Sequence, residues 1–245
     1  MVAAGCLLGA SCLPAADPPS GLLRRIAERE TESAIAMQNY TYRQSVTVQE
    51  FDDRGGVTGE YHELRSVIFS PQHVRYEEML GQPRNSLTRL RLTPLDFDDI
   101  RDIHPFLLTS DKVFLYEGHY KGEETIDGVP CFVEQVRPRQ MLSGQRYFEG
   151  LVWVSQADFS VVKSEGQAVP QIETVGEQNL TPHFTTFRKR VDNKYSFPSY
   201  TYGDDTLPFR QRPQRIRIEI RYRDYQHFGA ESTVTFGNEQ PPPPK

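Results

Sequence analysis

Four β-rich runs follow one another in the middle of the chain, at 113–120, 129–136, 146–154 and 159–163, and each is closed by turn chemistry. The connections Ile126-Asp127-Gly128, Leu142-Ser143-Gly144 and Gln156-Ala157-Asp158 carry the residues that reverse a chain tightly. Such a succession reads as an antiparallel meander. A meander with apolar residues on both faces must wrap a core or hold an apolar guest.

The flanking segments extend this pattern. Residues 22–37 are mostly good helix formers, with Leu23, Ile26, Ala27, Ala34 and Met37 on one face and the polar Glu30 interrupting it. From Tyr40 the period changes to two: Tyr40, Tyr42, Val46 and Val48 alternate with Thr41, Arg43, Ser45 and Thr47. Gly55-Gly56 turns the chain, and strands are predicted at 60–69, 74–79 and 87–92. Thr93-Pro94-Leu95-Asp96 reads as an N-cap, a first-turn proline and an acidic third position, which predicts a short helix over 94–103. Further strands are predicted at 183–191 and 195–202 around the turn Asp192-Asn193-Lys194, followed by a Gly, Asp and Pro-rich loop over 203–213. Ile216, Ile218, Ile220 and Tyr222 then alternate with charged residues, and a last strand is expected at 231–236 before the Pro-rich tail.

Tyr147-Phe148-Glu149-Gly150-Leu151-Val152-Trp153-Val154, with Asp158-Phe159-Ser160-Val161-Val162 and Glu165-Gly166, resembles the paired late strands of the outer-membrane lipoprotein-sorting superfamily, the LolA/LolB-like carriers. The likeness runs from about Leu22 to Phe236. It is supported by Asn39-Tyr40-Thr41-Tyr42-Arg43-Gln44, by the stretch 118–128 and by Phe228-Gly229-Ala230-Glu231-Ser232, and it is closest to secreted acidobacterial members. The resemblance implies a mainly β (α+β) fold: a curved antiparallel half-barrel sheet covered by a few helices, sheltering acyl chains in the periplasm.

The length suits one domain, placed at 17–237, with a signal segment at 1–16 and a disordered tail at 238–245. The run Ala3 to Leu13 is too short to span a bilayer and ends in small residues, as an exported leader would, so a periplasmic or secreted protein is expected. Lipid anchoring through Cys6 or Cys12 is the alternative. Cleavage leaves Cys131 as a single cysteine in an apolar strand, which reads as a buried thiol. A formal net charge of −5 argues against nucleic acid as a partner.

No chemistry-bearing pattern emerges. Asp96, Asp98, Asp99 and Asp102 suit a helix start better than a calcium loop, which would need a glycine-bearing turn. Asp204 and Asp205 are adjacent and would point opposite ways in extended chain. His62, His73, His104, His119, His183 and His227 stand singly, without zinc-ligand spacing. No nucleophile elbow or phosphate loop is present, so neither catalysis, a metal nor a cofactor is expected. The candidate ligand-binding residues are Tyr42, Phe69, Tyr76, Phe132, Leu151, Trp153, Ile218, Ile220 and Tyr222, with Trp153 on the concave face; ordinary core packing is the competing reading for each. The expected ligand is a lipid or an acylated protein, with peripheral membrane contact and an envelope protein partner as further expectations. A docking module and an envelope hydrolase remain the rival functions.

Overall fold

The structure is a computed structural model that describes residues 19–174 and 177–228. The predicted leader, the last predicted strand and the Pro-rich tail lie outside the described residues. Helix α1 (Leu22–Met37) leads into strands β1 (Tyr40–Phe51), β2 (Val57–Phe69), β3 (Arg75–Met79) and β4 (Arg84–Asn85), then helix α2 (Pro94–Asp102). A 3₁₀ turn at Val113–Leu115 opens the meander of β5 (Tyr116–Ile126), β6 (Val129–Pro138), β7 (Tyr147–Ser155) and β8 (Val161–Val169). A short hairpin, β9 (Ile172–Thr174) and β10 (Glu177–Asn179), precedes β11 (Phe184–Val191), β12 (Tyr195–Leu207) and β13 (Gln214–His227).

Eleven strands form one sheet in the order β3-β2-β1-β13-β12-β11-β8-β7-β6-β5, with β4 also on β2. The sheet is open, ending on β3 and β5, and its strand pairs are antiparallel. Among the described residues the fold is therefore mainly β with two α-helices, as the sequence predicts. Several predicted boundaries shift, and one predicted strand is lost. Residues 203–207 continue β12 instead of starting a loop, because they pair with β13 from Gly203↔Ile218 to Leu207↔Gln214. The 3₁₀ turn replaces the first residues of the predicted strand at 113–120. Residues 87–92 are not a strand at all.

Both helices cover the same face of the sheet, called here the inner face. Leu22 and Ile26 of α1 pack with Val136, Phe148, Val152, Val154 and Phe184, while Ile100 of α2 packs with Val46, Val48, Ile218, Ile220 and Tyr222. The buried stripe of α1 is Leu22, Ile26, Ala27, Glu30, Ser33, Ala36 and Met37, so it runs straight through the polar position that the sequence reading treats as an interruption. Glu30 is accommodated because Arg188 of β11 reaches it at 3.0 Å, with both side chains fully buried. Arg188 also donates to the carbonyls of Pro105 at 2.8 Å and of Phe106. Burial raises the Glu30 pKa and the Arg188 charge opposes it, with the net direction upward.

Side chains alternate across a strand. Val152 and Val154 face the helices, so Trp153 between them faces the other way, where it is buried with Cys131 and Val133 against Leu151 and Val162. Its indole N–H donates to Glu124 at 2.8 Å, and the Lys163 ammonium sits 4.0 Å from its ring centroid. Trp153 is expected from sequence on one face with the 216–222 strand; strand alternation instead puts it on the outer face, opposite Ile218 and Ile220.

Glu134 of β6 lies on the inner face, and its Oε2 is buried without a hydrogen-bond partner. Gly118 on β5 makes the room, since a Cβ there would fall 2.2 Å from Glu134 Oε1. Burial pushes the Glu134 carboxyl up to about 7 from an ordinary 4.5. A raised folded pKa gives stability that is fully present below pH 4.5 and is lost as pH rises through about 7. Glu134→Gln should therefore remove this decline and raise stability at pH 8 by about 1–3 kcal/mol. Urea unfolding of both proteins between pH 4.5 and 8 checks it; parallel pH profiles would refute the assignment.

Candidate functional site

At one end of the inner face lies a cleft of about 560 Å³, within the range usual for small-molecule sites. Its apolar lining is Val48 of β1, Ile216 of β13, Leu90 and Leu92 of the segment before α2, Leu180, and Phe209 of the β12–β13 turn. Arg89, Arg91 and Arg212 also line it, against a single carboxylate, Asp96. Asp96 is already engaged: it accepts from the Thr93 backbone N–H and hydroxyl in the capping box of α2.

The wall at 87–92 is held by one buried carboxylate. Glu50 of β1 accepts the backbone N–H groups of Thr88 at 2.8 Å, Arg89 at 2.9 Å and Leu90 at 2.9 Å, together with the Thr88 hydroxyl at 2.7 Å. Burial alone would raise the Glu50 pKa, but these donors overcome it and hold the carboxyl below its ordinary value. The alternating Leu and Arg residues of this segment read as a strand in sequence, yet the N–H groups that a neighbouring strand would receive go to Glu50 instead. Gly59 of β2 allows the crossing, because a Cβ there would lie 2.6 Å from both the Ser86 carbonyl oxygen and Glu50 Oε1. Arg89 is further tied to the Phe51 carbonyl at 3.3 Å and to Gln214 Oε1 at 3.4 Å.

The nine residues singled out from sequence do not converge. Tyr42, Ile218, Ile220 and Tyr222 are buried in the inner-face cluster that Ile100 closes, with Phe69 at its margin. Phe132 sits at the edge of the α1 cluster, stacked on Phe159 with ring centroids 6.0 Å apart. Leu151 and Trp153 belong to the outer-face cluster. Tyr76 on β3 is 59% exposed. Ile218 borders a smaller space adjoining the cleft. The cleft residues Leu180, Phe209, Arg212 and Gln214 were missed because loops and a single strand end carry no periodic signal; the only hint is the phenylalanine and arginines inside an otherwise Gly, Asp and Pro-rich segment.

The acidic residues resolve into local partnerships. Asp99 of α2 is paired with Arg146 at 2.5 Å, and Asp98 and Asp102 both meet Arg101. Asp204 on the outer face binds Arg215 and Arg217, each at 2.8 Å; the Arg215 hydrogen bonds are the main reason its carboxyl falls to about 2. Asp205 instead accepts the N–H groups of His183 and Thr206. Among the described residues no group of three or more His, Cys, Asp or Glu side chains is placed to hold a metal. Cys131 is a free, fully buried thiol, which burial pushes up in pKa. No described helix is long and apolar enough to cross a membrane.

No family model matches the chain, and no curated protein matches it. Solved structures that do include a LolA superfamily protein from Nitrosomonas europaea, at 15% identity and a TM-score of 0.41, over 84% of this chain and 94% of that one. A DUF1329 family protein from Desulfovibrio piger matches at 14% identity and a TM-score of 0.36, over 85% and 96%. A putative outer membrane lipoprotein-sorting protein domain from Vibrio parahaemolyticus matches at 11% identity and a TM-score of 0.36, over 80% and 90%. The superfamily that the strand motifs resemble is represented among them.

Proposed function

We propose that this protein binds one long-chain anionic amphiphile, a fatty acid or the acyl chain of a lipid or lipoprotein, without chemical change to it, in the cell envelope. The observation that carries this reading is the cleft of about 560 Å³, apolar across Val48, Leu90, Leu92, Leu180, Phe209 and Ile216 and bordered by three arginines. Each methylene removed from water contributes about 0.8 kcal/mol, so a partly sheltered chain binds without covalent help. The arginines select an anionic end.

Palmitate should bind the folded protein saturably and raise its melting temperature with concentration. Leu90→Asp places a carboxylate in the apolar lining and should weaken palmitate at least about tenfold, while the uncharged hexadecanol should gain nothing from the arginines. Isothermal titration with both ligands checks this. Undetectable palmitate binding, or affinity indifferent to Leu90→Asp, would remove the cleft from consideration.

A second reading, docking of an envelope protein, is favoured by the β3 edge. There Val74, Tyr76, Met79 and Leu80 are exposed beside a strand that, among the described residues, is paired on one side only. Lysine substitutions at Tyr76 and Met79 would abolish such docking and leave palmitate binding intact.

A further inference from the structure

Adjoining the cleft is a smaller space of about 40 Å³ that shares Val48, Leu92, Leu180 and Ile216 with it and is closed by His104, Asp99 and Thr181. His104 is 2% exposed, and neither of its ring nitrogens completes a hydrogen bond. The Asp99 backbone carbonyl near the ring already accepts from the backbone N–H groups of Ile103 and His104, each at 2.9 Å, and the other polar groups around it are committed elsewhere. Both Asp99 carboxylate oxygens accept from Arg146, at 3.1 and 2.5 Å. The Thr181 hydroxyl donates to the Ala168 carbonyl at 3.1 Å and accepts from Gln171 at 3.1 Å. The Phe184 ring, 4.4 Å away between centroids, offers no partner.

A neutral imidazole carries one donor and one acceptor, and leaving both unmet in a buried site is costly. Burial holds His104 near a pKa of about 4, so the ring is neutral at physiological pH and presents both functions. A ligand hydroxyl can answer one of them, donating to the bare ring nitrogen or accepting from the ring N–H. The space is large enough for one oxygen-sized group, and it adjoins the cleft where an acyl chain would lie.

We infer that the His104 space is a polar subsite of the ligand cleft, so that the preferred ligand is an acyl chain bearing a hydroxyl group that reaches the imidazole. This inference rests on the acyl-binding reading of the cleft. The hydroxyl takes the position that one water would hold in the free protein, and chains without an oxygen there leave His104 to that water.

The test is titration of the full chain with palmitate and with the positional series of monohydroxypalmitates at neutral pH. One positional isomer should bind about tenfold more tightly than palmitate, the factor that a net hydrogen bond supplies in a desolvated site. His104→Phe should abolish that preference and keep the affinity for palmitate. In the unmodified protein the His104 ring nitrogen resonances should move with the preferred isomer and not with palmitate, a measurement that stands even if His104→Phe fails to fold. Isomers that all match palmitate, a preference that survives His104→Phe, or ring resonances indifferent to the hydroxyl would overturn the subsite and leave a water-filled space. If palmitate and every isomer fail to bind, the cleft reading falls as well, which separates the two failures.

Discussion

Arg188→Met is expected to destabilise the fold by about 3–5 kcal/mol, because it leaves Glu30 as an unpaired carboxyl at the centre of the α1–sheet contact. The pair is fully buried at 3.0 Å, and the same guanidinium holds the Pro105 and Phe106 carbonyls. Losing it therefore strands one acid and two carbonyl groups in a desolvated layer. The defect should shrink as pH falls, since the buried Glu30 is already pushed towards its protonated form and will take up a proton once Arg188 is gone. Replacing both partners, Glu30→Leu with Arg188→Met, should recover most of the loss, as apolar replacements of buried pairs commonly do. Urea unfolding at neutral and acid pH measures all of this. A single variant within 1 kcal/mol of the parent, on the order of an exposed ion pair, would show that Glu30 and Arg188 do not form the link.

Trp153→Ala should be comparably damaging to the fold, by about 3–5 kcal/mol, and silent in ligand binding. Trp153 is 4% exposed, donates to Glu124 and carries Lys163 over its ring, so truncation empties a packed site. It sits on the outer face, whereas the cleft opens on the inner one. Palmitate affinity should be unchanged in the fraction that remains folded, and Trp153 fluorescence should not respond to palmitate. Trp153→Phe offers the same comparison with less loss of packing. A saturable fluorescence shift, or weakened palmitate binding by the phenylalanine variant, would place the ligand on the outer face and refute the cleft assignment.

How much of this was legible in the chain varies element by element. Helix α1 was predicted with the same limits, since a long run of good helix formers between Gly21 and the β-patterned Tyr40 leaves little choice. Its buried face differs from the predicted one, with Leu22 and Ser33 buried in place of the neighbouring Leu23 and Ala34, because the burial of Glu30 depends on an arginine far away in sequence. The β5–β8 meander was legible because neighbouring strands joined by short turns pair with each other, a local rule. The 87–92 segment was misread for the opposite reason. Its alternating side chains suit a strand, but the Glu50 carboxylate claims its backbone donors, and nothing near residue 88 in sequence reports that.

The amino-acid sequence by itself thus determined the class of fold, the antiparallel hairpins and the capping of α2, all of which rest on interactions within a few residues or across one turn. Tertiary structure alone decided that β1 joins β13 and β8 joins β11, which merges separate meanders into one sheet. It also decided which aromatic residues face the helices and where a cleft remains. These depend on pairings between distant segments, each specified by many weak contacts whose sum the chain can evaluate only once it is folded.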